Sequence, residues 1–231
     1  MAMFDRLVEA TLESVKSYPP EYRQSIMSEV DMYIDNTNLP IRFQKQYLDV
    51  KSLPKHLKQL YNKFEDIIES EDGAYVQVSN FKNTGYMIAM LIEKILQQCL
   101  INDIHVPTML YIDTNLLIEN YSNVMDSNKG TGVAYKTLIP EYIVSNYIYS
   151  ADFVFWDKFD LSNLAYANRK LYEILSIRYN RCLNNLFFAS NGPEYISQKY
   201  SQELYNVMNL TGLYKVCDDV LKVEEILKDD R

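Results

Sequence analysis

Three short segments of this 231-residue chain carry residue types whose spacing suits phosphate chemistry. The first is S-N-F-K-N-T-G at 79–85, directly after the apolar run AYVQV at 74–78. Between a strand and a helix, nucleotide-binding proteins surround phosphates with backbone N–H groups. They use glycines for close approach, a lysine for the outer phosphates and a Ser/Thr for magnesium. Setting G-x-x-x-x-G-K-[ST] with its first position at Val78 puts Val78 and Asn83 where the glycines belong. Thr84 then replaces the lysine and Gly85 the Ser/Thr, while Asn80 and Lys82 fall inside the loop. The frame is kept; the chemistry is not.

The second segment is Asp157-Lys158, following FVFW at 153–156. An apolar strand ending in two acids binds magnesium and orients the attacking water in nucleotide hydrolases. Asp157 keeps the first acid, and Lys158 puts a cation at the second. The third is Ser190-Asn191 after LFFA, where a polar side chain senses the terminal phosphate. Each has a plainer alternative: Asp157 as a turn cap, and Asn191 before Gly192-Pro193 as an ordinary turn residue. G-T-G-V-A-Y-K-T at 130–137 matches the phosphate-loop pattern except at Tyr135. A polar stretch precedes it and Pro140 follows, so it is expected to be a surface loop. Only His56 and His105 exist, which leaves no material for a histidine triad or multi-histidine metal site, and no metal site is expected.

The elements that must position these residues follow from the apolar pattern. AYVQV (74–78), TMLYID (108–113), FVFW (153–156), LFFAS (186–190) and GLYKV (212–216) are predicted strands. Helices are predicted over 86–101, 115–125 and 163–183. Near-continuous apolar strands alternating with helices imply an α/β fold with a mostly parallel sheet covered on both faces. Ligands in such folds sit beyond the carboxyl ends of the strands, where all three segments lie. Trp156, inside an apolar run, is expected in the core. Residues 1–38 are expected to be a separate appendage of two short amphipathic helices, striped by Phe4, Val8, Leu12 and Val15, then by Ile26, Val30, Tyr33 and Ile34. Pro19-Pro20 separates them and N-T-N-L-P at 36–40 ends the unit. Residues 39–231 are expected to form the second unit.

Composition narrows the function classes. The chain is 48% hydrophobic and 23% charged, with 6 Gly and 7 Pro, which suits a globular protein rather than a disordered one. No apolar run is long enough to span a membrane, and no membrane partner is expected. The acids in MAMFDRLVEATLE do not suit a signal peptide. Cys99, Cys182 and Cys217 are scattered, as in a reducing cytosol, so a cytoplasmic location is expected. A net charge of −8 argues against a protein that mainly wraps duplex DNA. The 20 tyrosines, with Asn, Ile and Lys, suggest an AT-rich genome. Arg42, Lys45, Lys51, Lys55, Lys58 and Lys63 face only Asp49 within 39–63, the one stretch suited to single-stranded DNA.

From Leu39 to Lys222 the sequence resembles the DnaC/DnaI/IstB group of AAA+ proteins, the bacterial and phage replicative-helicase loaders. L-P-I-R-F (39–43) is similar to the Ile-Pro-x-x-[FY] opening of their ATPase region. A-D-F-V-F-W-D-K-F-D-L (151–161) resembles their strand ending in paired acids, and R-Y-N-R-C-L-N-N-L-F-F-A-S-N (178–191) their R-Y…T-S-N segment. The resemblance implies a three-layer AAA+ core with a five-stranded, mostly parallel sheet. It also implies an arginine, Arg178 or Arg181, able to reach a neighbouring subunit's site. The family's later sensor arginine has no counterpart near Leu204 to Met208.

With the lysine, the Ser/Thr, the second acid and that arginine missing, no efficient ATPase is expected. Each such group is worth a few kcal/mol of transition-state stabilisation, roughly. ATP or ADP binding without hydrolysis stays open. The expected role is a helicase-loader-like protein of phage or bacterial DNA replication, working by contact with a replicative helicase, a loader or copies of itself. Two alternatives stand beside it: an atypical ATPase using Lys82 or Lys158, and a regulator that caps a loader oligomer.

Overall fold

The computed structural model describes residues 19, 32–34, 36–44, 61–62, 73–79, 81, 84–101, 105–119, 147–161, 167–208 and 210–216. Five strands build one sheet: β1 (Gly73–Val78), β2 (Met109–Asp113), β3 (Phe153–Asp157), β4 (Asn184–Ala189) and β5 (Leu210–Val216). Their order is β2-β3-β4-β1-β5, and every neighbouring pair is parallel. The helices are α1 (Ile41–Gln44), α2 (Thr84–Ile101), α3 (Ala167–Asn180), α4 (Pro193–Lys199) and α5 (Gln202–Val207).

The two-residue period of a strand sends alternate side chains to opposite faces, and both faces here are apolar. Ala74, Val76, Val78, Phe153, Phe155, Leu186 and Phe188 lie in one core with Met87, Ile88, Leu91, Ile92 and Ile95 of α2. Tyr75, Leu110, Ile112, Val154, Trp156 and Phe187 face the other way. There they meet Leu171, Ile174 and Leu175 of α3, Ile196 of α4 and Leu204 of α5. Burial on both sides explains why the strands read as unbroken apolar runs. Trp156 is fully buried, as expected; its ring stacks near Phe187 and its Nε1 donates to Asn185 Oδ1 at 3.0 Å.

The same alternation sets the site. Tyr111 and Phe155 point to the α2 side, so the residues two further on, Asp113 and Asp157, belong to that side too, where α2 begins.

Tyr33, Ile34, Thr37 and Asn38 pack on this body. Ile34 joins the core on the α2 side, and Thr37 O accepts the Tyr111 N–H of edge strand β2 at 2.7 Å. Asn38, in a left-handed conformation at φ 59°, turns the chain toward Leu39-Pro40. The stripe from Phe4 to Val15, Ile26 and Val30, the loop at 130–137 and most of the basic segment 39–63 lie outside the described residues. Among the described residues, no helix is long and apolar enough to cross a membrane.

Candidate functional site

The loop between β1 and α2 stands at the carboxyl end of the interior strand β1, and α2 opens at Thr84. Helix N-termini present unpaired N–H groups and a positive dipole end, the usual support for a phosphate. Thr84 is fully buried and its hydroxyl donates to Phe81 O at 2.9 Å, turning it into the loop rather than outward. Asn80, Lys82 and Asn83 lie outside the described residues.

Asp157 closes β3 beside this helix start. It is 2% exposed; its Oδ2 accepts the Tyr111 hydroxyl at 2.8 Å, and its Oδ1 has no hydrogen-bond partner. Burial pushes its carboxyl up to about 6. The Tyr111 hydrogen bond, the Thr84 hydroxyl and the Lys158 charge pull the other way, while the Asp113 charge adds to the rise. Burial, with the Asp157 charge and hydrogen bond, in turn pushes the Tyr111 phenol far above its ordinary range, so it stays a donor.

Lys158 turns away from this carboxylate. It sits at φ 55°, and its ammonium forms an ion pair with Asp113 Oδ2, the residue opposite Asp157 in the β2–β3 register. Asp113 Oδ1 also accepts the Leu116 N–H at 3.2 Å, capping the helical residues 114–119.

Ser190 and Asn191 end β4 and are held by a residue that the motif search passed over. The buried Asp160 carboxylate accepts the Ser190 N–H (3.0 Å), the Ser190 hydroxyl (2.8 Å), the Asn191 N–H (2.9 Å) and the Asn191 amide (2.6 Å). Tyr75 donates to Asn191 O at 3.0 Å, and Gln77 to Ser190 O at 3.3 Å, from β1. The Asn191 side chain is thereby committed within the chain. The missed signal was Asp160 itself, three residues beyond Asp157 in W-D-K-F-D.

Arg178 corrects an expectation. It is fully buried at the amino ends of β3 and β4, opposite the site edge, with its side chain enclosed by the chain itself. Its guanidinium donates to Asn185 Oδ1 (2.7 Å), Ile148 O (2.9 Å), Ala151 O (2.9 Å) and Asn184 O (2.7 Å). Desolvation pushes its pKa down to about 9, the Asp152 charge pulls the other way, and the four acceptors satisfy the buried guanidinium. Arg181 is exposed and donates to Tyr149 O at 2.9 Å. The structure thus brings together Thr84, Gly85, Asp157 and Lys158 with Tyr111 and Asp113. Asn191 is gathered into the neighbouring Asp160 cluster, and both arginines are elsewhere.

No protein-family model matches the chain, and neither does any curated protein sequence. Solved structures do. The chain is similar to DnaI, with a TM-score of 0.52 at 12% identity over 78% of this chain and 92% of that one. A protein described as a primosome component, from Streptococcus pyogenes serotype M3, gives a TM-score of 0.50 at 12% identity, covering 78% and 90%. The DnaC helicase loader superposes more loosely, with a TM-score of 0.46 at 14% identity over 69% and 85%. The chain therefore shares the fold of DnaI: an α/β core with the sheet order β2-β3-β4-β1-β5.

Proposed function

We propose that this chain is a helicase-loader-like AAA+ protein of DNA replication that works through protein–protein contacts rather than by burning ATP. Its partner is a replicative helicase, that helicase's loader or copies of itself; it acts in a bacterial cytoplasm, as a phage or host product. One observation carries the proposal. A loader fold places the β1–α2 loop and the ends of β3 and β4 together, yet the residues there are Thr84, Gly85, Lys158 and a committed Asn191.

The Lys158–Asp113 ion pair counts against Lys158 as a replacement for the missing phosphate-loop lysine, which leaves Lys82 as the residue an active ATPase would need. The test has two arms. Phosphate release by the purified full chain, with magnesium and ATP, is expected at background. A pull-down against purified helicase and purified loader, separately, is expected to capture one of them. Turnover abolished by Asp157→Asn or Lys82→Ala would overturn the contact reading in favour of the ATPase. Binding to the loader alone would favour a regulator. Binding of residues 39–63 to single-stranded DNA, if it contributes, weakens steeply with salt.

A further inference from the structure

Two hydroxyls reach Asp157. Tyr111 of β2 donates to its Oδ2 at 2.8 Å, and the Thr84 hydroxyl at the start of α2 stands beside the same carboxyl. Residues 37–43 touch the chain next to both.

At β2 the contact is with the main chain of Tyr111 itself. Its N–H donates to Thr37 O at 2.7 Å, and its C=O accepts Asn38 Nδ2 at 3.3 Å. The Tyr111 side chain leaves the strand on the α2 side of the sheet, where it meets Asp157. One residue is thus gripped from outside through its backbone while its hydroxyl is used inside. The phenol oxygen stands at the far end of a rigid ring whose direction the backbone sets, so a small turn of the backbone at Tyr111 is enlarged there. The gripping turn is stitched to itself. The Thr37 hydroxyl donates to Ile34 O at 2.7 Å and accepts the Leu39 N–H at 3.3 Å.

The other end of this segment rests on α2. A Cβ on Gly85, the residue after Thr84, would overlap three carbons of the Phe43 ring, so the ring lies directly against the helix backbone. Tyr86 meets the ring edge-on at 4.8 Å between centroids. Gln44 Nε2 donates to Leu39 O at 2.8 Å, joining α1 to the turn.

We infer that residues 37–43 are a strap coupling the N-terminal side of the chain to Asp157, with Thr37 and Asn38 as positioning residues that act through Tyr111. Drawing the turn off the edge of β2 frees the Tyr111 main chain and, with it, the hydroxyl that Asp157 holds. A contact that pulls on residues 32–36 is in this way felt where β3 ends and α2 begins. The coupling does not depend on which protein the chain contacts.

The test follows hydrogen exchange in the full chain by NMR, the Tyr111 hydroxyl signal being assigned by its absence in Tyr111→Phe. Thr37→Val with Asn38→Gly loosens the strap by removing the stitching hydroxyl and the side-chain donor, and glycine suits the left-handed backbone at position 38. Asn38→Gly alone serves should the pair not fold. Ile174→Val, in the core on the opposite face of the sheet, lowers stability without touching the strap. Exchange of the Tyr111 amide and hydroxyl, by local opening, is expected to speed at least about tenfold in the strap variant and less than about twofold in Ile174→Val. The strap variant's effect on the unfolding constant should shrink at least about threefold in the Tyr111→Phe background, where independent changes would multiply to within about twofold.

Wild-type exchange at either Tyr111 group in a folded strap variant, equal acceleration in Ile174→Val, or full additivity with Tyr111→Phe would overturn the coupling. Any of these leaves the contact reading standing. Failure to capture either helicase or loader does the reverse.

Discussion

Asp157 makes the stability of this protein depend on pH in an unusual direction. A carboxyl with a folded pKa of about 6 and an unfolded value of 3.8 binds protons more readily in the native state. The stabilisation from protonation is complete below 3.8 and is lost as pH rises through 6. Its full extent is about 3 kcal/mol, from two pKa units or so at roughly 1.36 kcal/mol each. Most of the group is ionised at pH 7 and most protonated at pH 5, so this residue alone makes the protein about 1.3 kcal/mol more stable at pH 5. For a chain of this size that is a Tm rise of about 3–5 °C. Calorimetric melts at pH 5, 6 and 7 in EDTA, of wild type and Asp157→Asn, isolate the effect. The variant, carrying no titrating group there, should lose the rise and be no less stable than wild type at pH 7. Parallel pH profiles of the two proteins would refute the buried-carboxylate account, as would a wild type that weakens on going from pH 7 to 5.

Four further outcomes are expected. Arg178→Met leaves three carbonyls and the Asn185 amide oxygen short of a donor and should cost at least about 3 kcal/mol in urea unfolding; Arg178→Lys, without the planar fork, should recover only part of it. Tyr111→Phe removes the donor that lowers the Asp157 pKa, so the midpoint seen by NMR titration should move above 6, with a loss of about 1.5–3 kcal/mol at pH 7. Asp160→Ala frees the Ser190 and Asn191 N–H groups, and both amides should exchange with solvent far faster. Lys158→Gly trades a partly exposed ion pair for relief of a left-handed backbone; denaturation should place it within about 1 kcal/mol of wild type.

The sheet was legible because burial on both faces leaves a plain trace: GAYVQV, MLYID, FVFWD and NNLFFA are apolar nearly throughout, and all five predicted strands exist. Boundaries were less so. The fifth strand begins at Leu210 rather than Gly212, and α2 at Thr84 rather than Tyr86. Asp157 could be found because it ends an apolar run. Asp160 could not, since its role depends on β4 lying beside β3, which brings Ser190 and Asn191 to it from thirty residues away. Arg178 misled because arginine is ordinarily a surface residue. Yet Leu171, Ile174, Leu175 and Arg178 fall at i, i+3, i+4 and i+7, so α3 was pointing the side chain inward all along. Phe43 was quoted as part of a motif, and nothing in the spacing says that its ring rests on Gly85, forty-two positions later.

The turn at Thr37 and Asn38 has an effect beyond anchoring α1. The rim strand of a parallel sheet offers a free row of amide and carbonyl groups on which a foreign strand can continue the ladder. Here Thr37 and Asn38 take the outward N–H and C=O of Tyr111, in the middle of β2. Sheet-to-sheet zipping of two molecules along that flank is thereby obstructed at its centre.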